Sequence, residues 1–178
     1  MAVEWVRLQL DLSAFEDAPF RPLLRSCQAN GIAFTTMGEL GDTAEHRRAL
    51  YKLNKTCAAD IPERGEFHTF EEYVDQRIET SRYDPHGVVL ALSDGDWVGM
   101  AATSLHAAEG FAFSEMTGVL ASHRGRNIAL AMKLLAIEFA RSRDLRWLRT
   151  FQHPANAAAI GMNRRLGFTD EDPELWTS

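Results

Sequence analysis

The stretch that decides the fold of this chain reads Met116-Thr117-Gly118-Val119-Leu120 and, after three intervening residues, Arg124-Gly125-Arg126-Asn127-Ile128-Ala129. The first segment is strand-like, and the second opens a long apolar helix predicted over 128–140. Backbone N–H groups in the first turn of a helix have no intrahelical acceptor, and the helix dipole adds partial positive charge there. The junction therefore predicts an anion site, with a glycine that allows close approach and arginine forks suited to phosphate. The alternative is an ordinary tight turn with solvated arginines.

A second motif follows downstream, at Asn156-Ala157-Ala158-Ala159-Ile160-Gly161-Met162-Asn163-Arg164-Arg165-Leu166-Gly167-Phe168. It reads as a short helix that ends in Leu-Gly-Phe. Over residues 86–170 the chain resembles the GCN5-related N-acetyltransferase (GNAT) superfamily, the acetyl-coenzyme A enzymes. In that family a loop reading Gln/Arg-x-x-Gly-x-Gly/Ala holds the pyrophosphate, and a later helix reads Asn-x-x-Ala, then Tyr, then Leu-Gly-Phe. This sequence supplies Arg124, Asn127 and Ala129 in the loop, and Asn156, Ala159, Asn163 and Leu166-Gly167-Phe168 in the helix.

Two positions depart from the family pattern. Asn127 stands where the family usually has Gly, and Asn tolerates unusual backbone angles better than most residues, so we expect phosphate binding to survive. Asn163 stands where many members carry a Tyr that serves as the general acid for the departing thiolate. An amide can donate a hydrogen bond to sulfur but has no proton to release near neutral pH. Acid catalysis by Asn163 is therefore in question.

The order of predicted elements indicates an α/β fold. The resemblance implies the GNAT acyl-coenzyme A N-acyltransferase fold: a mixed, mostly antiparallel central sheet with a splayed parallel strand pair, and helices on both faces. The sequence predicts one domain over 1–178, with 1–85 as a variable substrate-side part and 86–178 as the acetyl-coenzyme A-binding core. Predicted strands lie at 5–10, 32–36, 88–92, 97–105, 111–120 and 147–151, and predicted helices at 20–29, 44–58, 69–79, 128–140 and from 156. Thr69 and Glu72 are predicted to form a capping box at the start of the 69–79 helix. Pro154 is expected at the first position of the last helix, and Phe168 with Leu175-Trp176 in a short hairpin.

The resemblance also implies which residues bind the cofactor. The pantetheine arm is expected to lie between the splayed strands, which would be 115–120 and 147–151. The backbone of Val119 and Leu120 would face pantetheine, the loop and first helical turn would face pyrophosphate, and Asn156 would contact the cofactor from the opposite side. The expected cofactor-binding residues are Val119, Leu120, Arg124, Gly125, Arg126, Asn127, Ile128, Ala129, Leu130, Asn156 and Asn163.

Catalysis requires a base, because an ammonium acceptor has no lone pair with which to attack. Glu115 is the first candidate, because its strand runs into the cofactor loop and many relatives carry a glutamate there; the alternative is a solvent-facing strand residue. Glu109 and His106 are weaker candidates, and His123 is expected on the cofactor side. Asn163 is expected to donate a hydrogen bond to the sulfur, against the alternative that it caps local backbone.

Composition agrees with a globular, cytoplasmic enzyme: 178 residues, 46% hydrophobic and 25% charged, with two cysteines outside any CxxC arrangement. Neither a secretory signal nor a membrane span is predicted, since Lys133 and Glu138 interrupt the best apolar run. Histidine and cysteine spacing does not predict a metal site. Residues 123–166 hold nine basic side chains against two acidic ones, whereas 39–84 hold eleven acidic against seven basic. This asymmetry suits an anionic cofactor and a cationic acceptor.

The sequence predicts transfer of an acetyl group to a primary amine of a small molecule or peptide, by direct attack in a ternary complex. Neither nucleic acid nor a membrane is expected as a partner, and a homodimer stays open. The competing hypothesis is a non-catalytic acyl-coenzyme A-binding or sensing module with a degenerate site. An O-acyltransferase or an enzyme for longer acyl groups would keep the same cofactor site. The sequence more closely resembles family members whose loop reads His-Arg-Gly-x-Gly-x-Ala-Leu-Ala, some of which form half of a tandem pair of such domains. Residues 1–85 are then either a substrate-side cover or a remnant of other architecture.

Overall fold

The computed structural model describes residues 2–61 and 65–176. The described residues form one sheet from β1 (Val6–Asp11), β2 (Ile32–Thr36), β3 (Val88–Ser93), β4 (Asp96–His106), β5 (Phe111–Val119), β6 (Trp147–Gln152) and β7 (Thr169–Asp170). The strand order is β2-β3-β4-β5-β6-β1-β7. Because β1 lies between β6 and β7, the start of the chain belongs to the same sheet as the predicted core.

Strand direction matches the expected architecture. All neighbouring strands pair antiparallel except β5 and β6, which run parallel. The β3–β4 hairpin turns at Asp94 and Gly95, whose φ angles are 50° and 84°, as a tight two-residue hairpin turn requires. The predicted mixed, mostly antiparallel sheet with one parallel pair is therefore confirmed.

Helices cover both faces of the sheet. Among the described residues they are α1 (Arg21–Ala29), α2 (Met37–Leu40), α3 (Ala44–Ala58), α4 (Phe70–Tyr73), α5 (Ile128–Ser142) and α6 (Ala157–Leu166). Successive side chains of a strand point to opposite faces. Accordingly, Val89 of β3 packs in one core with α1, α5 and α6, and Leu90 packs in a second core with α2 and α3. None of the helices in 2–61 and 65–176 combines the length and apolarity needed to cross a bilayer.

Helix α5 is the central element for the site. Ten of its fifteen residues are buried, because the helix packs on β3, β4 and β5 and also against α1. One of these ten is Lys133, whose exposed fraction is only 1%. The packing fixes the N-terminus of α5 beside the end of β5, where the predicted anion loop lies.

Three local elements differ in part from their predicted form. The Thr69 capping box is confirmed, but the helix predicted to run through 79 changes after Tyr73 into a π-helix, Val74–Ile78. Pro154 is not the first residue of α6, because the helix begins after its N-cap Asn156. The C-terminal hairpin is wrong: β7 pairs with β1, and Pro173–Trp176 form a 3-10 turn. An edge strand was available in β1, so the tail adds to the sheet instead of folding on itself.

Candidate functional site

A cleft opens where β5 and β6 separate. The two strands pair with each other only through Phe111–Trp147, Ala112–Leu148 and Phe113–Arg149. Beyond that point β5 continues to pair with β4 and β6 with β1, but not with each other. The first residues past the pairing are Ser114 and Thr150; Thr150 Oγ1 donates a hydrogen bond of 3.4 Å to the Ser114 carbonyl. We call this point the vertex of the cleft. The cleft has a volume of about 840 Å³ and reaches from the vertex to the end of β5 and the start of α5.

The loop at the end of β5 exposes the N-terminus of α5. Gly125 and Asn127 have φ angles of +76° and +61°, so the position that is usually glycine in the family does adopt the left-handed conformation that Asn tolerates. Asn127 is the N-cap residue, but its side chain makes no capping hydrogen bond. The N–H groups of the first turn, at Ile128, Ala129 and Leu130, therefore receive no cap from this side chain.

The two arginines of the loop lie differently. Arg124 donates from Nε to the Val119 carbonyl at 3.0 Å and forms an ion pair with Asp60, which follows α3. Arg126 is exposed, and its carbonyl accepts a hydrogen bond from the Cys27 thiol. Arg124 thus joins the loop to the end of β5 and to the segment that follows α3, whereas the Arg126 guanidinium extends toward solvent beside the helix N-terminus.

Leu120 and Val119, the two residues expected to contact pantetheine, direct their backbone groups to different edges of β5. The Leu120 N–H donates to the Val98 carbonyl at 2.8 Å, so it faces β4 and not the cleft. Successive residues of a strand direct their backbone groups to opposite edges, and Val119 accordingly lies in the wall of the cleft. Its carbonyl is the one that Arg124 contacts.

The two asparagines of α6 both bond to their own helix. Asn156 lines the cleft, and its Oδ1 accepts a hydrogen bond of 3.2 Å from the Ala159 N–H as the N-cap. Asn163 has an exposed fraction of 0% and donates from Nδ2 to the Ala159 carbonyl at 3.0 Å. Asn163 is not among the residues that line the cleft, whereas its neighbour Met162 is. Asn163 bonds to local backbone, the alternative that the sequence left open.

Glu115 occupies an irregular position in β5. In the β4–β5 register Ala102 is opposite Met116 and Thr103 is opposite Ser114, so Glu115 is the extra residue of a β-bulge. A bulge re-aims side chains and is over-represented beside active sites. The Glu115 carboxylate accepts a hydrogen bond of 2.7 Å from Ser104 Oγ and forms an ion pair with Arg77 of the π-helix.

Glu115 also links two cavities. It lines the large cleft and a smaller adjoining cavity of about 150 Å³, and both share Arg77 and Met116 as walls. Tyr73 and Ser104 complete this part of the smaller cavity. The carboxylate is therefore reachable from the vertex and from the side covered by α3 and α4.

The weaker base candidates are less well placed. His106 stacks on Phe111 with ring centroids 4.6 Å apart, and its Nε2 lies 3.2 Å from Ser104 Oγ. Burial lowers the pKa of His106, and the nearby Arg82 acts in the same direction. Glu109 is exposed in the turn after β4, and His123 pairs with Ser122 at 2.7 Å in the turn after β5. The walls of the large cleft include none of these three residues.

A model of the acetyltransferase (GNAT) family matches residues 47–168. The chain belongs to the GNAT acetyltransferase family. Acetyl-coenzyme A is the acyl donor of this family, and the resemblance seen in the sequence is confirmed.

Several proteins similar to this chain are about twice its length. A mycothiol acetyltransferase of Thermobispora bispora is 34% identical over 126 residues, which cover 68% of this chain and 42% of that protein. The chain spans between 40% and 54% of the length of the curated relatives that it matches. A GCN5-related N-acetyltransferase from Sphaerobacter thermophilus superposes with a TM-score of 0.65 at 21% identity, covering 94% of this chain and 48% of that one. A tandem GNAT protein from the clavulanic acid biosynthesis pathway gives 0.64 at 18% identity, covering 97% and 52%. These two structural likenesses show the fold.

One residue of this GNAT domain that the sequence analysis missed is Lys133. In the sequence, Lys133 is noticeable only as an interruption of an apolar run. In the structure its Nζ donates to Ser114 Oγ at 2.6 Å, at the vertex of the cleft. The available signal was a single lysine within the apolar run 128–137. Arg77 and Ser104 carried no comparable signal, because tertiary packing alone brings them to Glu115.

Proposed function

We propose that this chain transfers an acetyl group from acetyl-coenzyme A to a primary amine of a small molecule or peptide, by direct attack in a ternary complex. The observation that carries this proposal is the continuous cleft between the separated strands β5 and β6, which leads to the uncapped N-terminus of α5. An extended thioester with a phosphate group at its far end fits a site of this form.

Several features of the chain suit the acyl donor. The first-turn N–H groups of α5 and the Arg126 guanidinium offer hydrogen bonds and positive charge to pyrophosphate. The cleft-facing edge of β5 at Val119 offers backbone groups to the pantetheine arm. These backbone positions are set by the sheet and need no reorganisation when charge develops on the thioester. Leu120 offers no N–H to the pantetheine arm, because that N–H donates to the Val98 carbonyl.

Glu115 is the proposed base for the acceptor amine. Its carboxylate lies just past the vertex, where the thioester carbonyl of a donor laid along β5 would be. It already accepts hydrogen bonds from Ser104 and Arg77, so it is oriented before an amine arrives. A cationic amine can take the place of the Arg77 guanidinium, and Glu115 can then receive its proton directly or through water.

Direct attack is favoured over a covalent enzyme intermediate because the cleft thiol is a poor nucleophile. Cys57 lines the cleft, but burial raises the pKa of its thiol to about 11. The reactive species is the thiolate, which is therefore scarce near neutral pH. Both cysteines are free and buried, which suits the reducing cytoplasm that we propose as the compartment.

The first experiment is calorimetric titration with acetyl-coenzyme A, followed by thiol release against a panel of amines. The panel includes polyamines, amino acids, aminoglycosides and amines related to mycothiol, because the curated relatives are named mycothiol acetyltransferases. We expect binding, and turnover on one amine class. Absence of binding at near-millimolar acetyl-coenzyme A would overturn the proposal, and the Arg124 junction would then be a structural turn.

The second candidate function is an acyl-coenzyme A-binding or sensing module without catalysis. The observation that favours it is the burial of Asn163, because α6 then offers no side chain at this position to the leaving sulfur. This alternative predicts binding without turnover on any amine. It also predicts that Glu115→Gln changes nothing that the binding and turnover assays measure.

A further inference from the structure

Lys133 is buried at the vertex of the cleft. Its Nζ donates to Ser114 Oγ at 2.6 Å and lies 5.2 Å from the centroid of the Phe168 ring. Ser114 is the first β5 residue past the pairing with β6, so the amine lies under the point where the two strands separate. Lys133 itself is also part of the cleft wall. The side chain therefore reaches the cleft from the α5 side, opposite to the network that holds Glu115.

The structure provides no counterion for this lysine. Within 2–61 and 65–176, Lys133 forms no ion pair, and burial alone accounts for a pKa lowered to about 7. An ammonium has three N–H donors, of which Ser114 takes one. An isolated buried ammonium is costly unless it meets an anion. The anion that suits this position is one that enters with the ligand or develops during the reaction.

Acyl transfer creates such an anion at the sulfur. From Val119 to Ser114 the strand extends over about 17 Å, a length that an extended pantetheine arm covers from the phosphate loop toward the vertex. The thioester of a donor laid along this edge would lie near Lys133 on one side and near Glu115 on the other. Asn163, the position expected to assist the sulfur, is buried in α6 and has no proton to release.

We propose that Lys133 is a catalytic residue that donates its proton to the leaving sulfur of coenzyme A. This proposal rests on the proposed acetyltransferase function and adds its general acid. As the amine nitrogen bonds to the acetyl carbon and the carbon–sulfur bond breaks, the bonding pair leaves on sulfur and Lys133 supplies the proton that makes the free thiol. The acceptor ammonium loses one proton to Glu115 before attack and a second after the nitrogen–carbon bond forms, and both protons pass from Glu115 to solvent. The neutral Lys133 regains a proton from solvent through the Ser114 hydroxyl, so protons balance over one cycle.

The same position makes Lys133 a hydrogen-bond partner for the sulfur of bound coenzyme A, whether the shared proton lies on nitrogen or on sulfur. A cation beside a thiol favours the thiolate and lowers the pKa of that thiol. The wild-type protein should therefore bind coenzyme A more tightly than desulfo-coenzyme A, in which hydrogen replaces the thiol. This difference reports on Lys133 without any acceptor amine.

The test measures the affinities of coenzyme A and desulfo-coenzyme A by calorimetry for wild type, Lys133→Met and Lys133→Gln. The Gln variant keeps a hydrogen-bond donor for Ser114, and it serves as a second test in case the Met variant does not fold. We expect a wild-type preference of at least tenfold for coenzyme A, a ratio near one in both variants, and an unchanged affinity for desulfo-coenzyme A. Lys52→Met, which removes an exposed lysine of α3, is the matched control and should keep the wild-type ratio.

The outcomes separate this proposal from the proposed function. If the variants keep the wild-type ratio, or lose affinity for both ligands equally, Lys133 has only a structural role and the proposal is overturned. A wild-type ratio near one would overturn it as well. If the wild type binds neither ligand, the acyl-coenzyme A site itself is wrong, and the proposed function fails together with this one.

Discussion

Arg77 of the π-helix Val74–Ile78 forms an ion pair with Glu115, the extra residue of the β5 bulge. The contact joins the segment that follows α4 to the strand that borders the cleft. Both side chains are partly exposed, at 39% and 23%, so the pair contributes little to stability. Its consequence is orientation: the carboxylate is held at the junction of the two cavities before an acceptor binds.

We predict that Glu115→Gln lowers the rate constant of acetyl transfer by about 10²- to 10⁴-fold, the range for a positioned general base. The affinity for acetyl-coenzyme A should change little, because Glu115 lies at the vertex and not in the phosphate loop. Initial rates of thiol release with the best amine, together with calorimetry, check both quantities. Glu109→Gln, in the exposed turn after β4, is the control and should retain the wild-type rate. Full activity in the Glu115 variant would remove Glu115 from the mechanism.

Arg126→Ala is expected to weaken acetyl-coenzyme A binding before it affects the rate constant. A hydrogen bond between a guanidinium and phosphate contributes about 1.5–3 kcal/mol, which corresponds to roughly tenfold or more in affinity. Arg141→Ala removes an exposed arginine from the other end of α5 and should leave affinity unchanged. Equal effects of the two substitutions would mean that only net charge matters and that the loop is not the phosphate site.

Asn156→Ala should lower the free energy of unfolding by about 1 kcal/mol, because the Ala159 N–H loses its capping partner. Asn156→Asp retains a cap oxygen and should keep most of this stability. Urea denaturation measures the first effect, and calorimetry with acetyl-coenzyme A shows whether Asn156 also contacts the cofactor. A stable Asp variant with wild-type affinity would assign Asn156 to capping alone.

Lys133→Met should change how stability depends on pH. The pKa of Lys133 is about 7 in the folded protein, against 10.5 for an ordinary lysine. Between these values the unfolded chain binds more protons than the folded one, so a rise in pH favours folding. The free energy of unfolding of the wild type should therefore rise relative to that of the variant by up to about 1.4 kcal/mol per pH unit.

Urea denaturation of both proteins at pH 6, 8 and 9.5 tests this prediction. Below pH 7 the folded and the unfolded wild type both carry the Lys133 proton. The difference in free energy of unfolding between wild type and variant should therefore be constant there, and least favourable to the wild type. Other titrating groups are shared and cancel in the comparison. A difference that does not vary with pH would mean that Lys133 keeps an ordinary pKa.

Local signals in the sequence predicted most of the elements. Strand β2 and helix α3 have their predicted bounds, and the Thr69 capping box is present. These features depend on hydrophobic periodicity and on side chains that bond to backbone a few residues away. The misplaced Pro154 and the absent C-terminal hairpin show the limit of such signals. The hairpin depended on where β1 lies, which short-range patterns do not specify, whereas the start of α6 is set by the Asn156 cap two residues after Pro154.

The sequence by itself determined the family, the order of strands and helices, and the left-handed loop that opens α5, because each follows from residues close together in the chain. Only the tertiary structure decided where the side chains of the site point. The bulge turns Glu115 toward Arg77, the rotation of α6 buries Asn163, and the packing of α5 under the separated strands brings Lys133 to Ser114. These directions depend on how helices and strands from distant parts of the chain pack together, and the spacing of residues along the sequence does not contain that information.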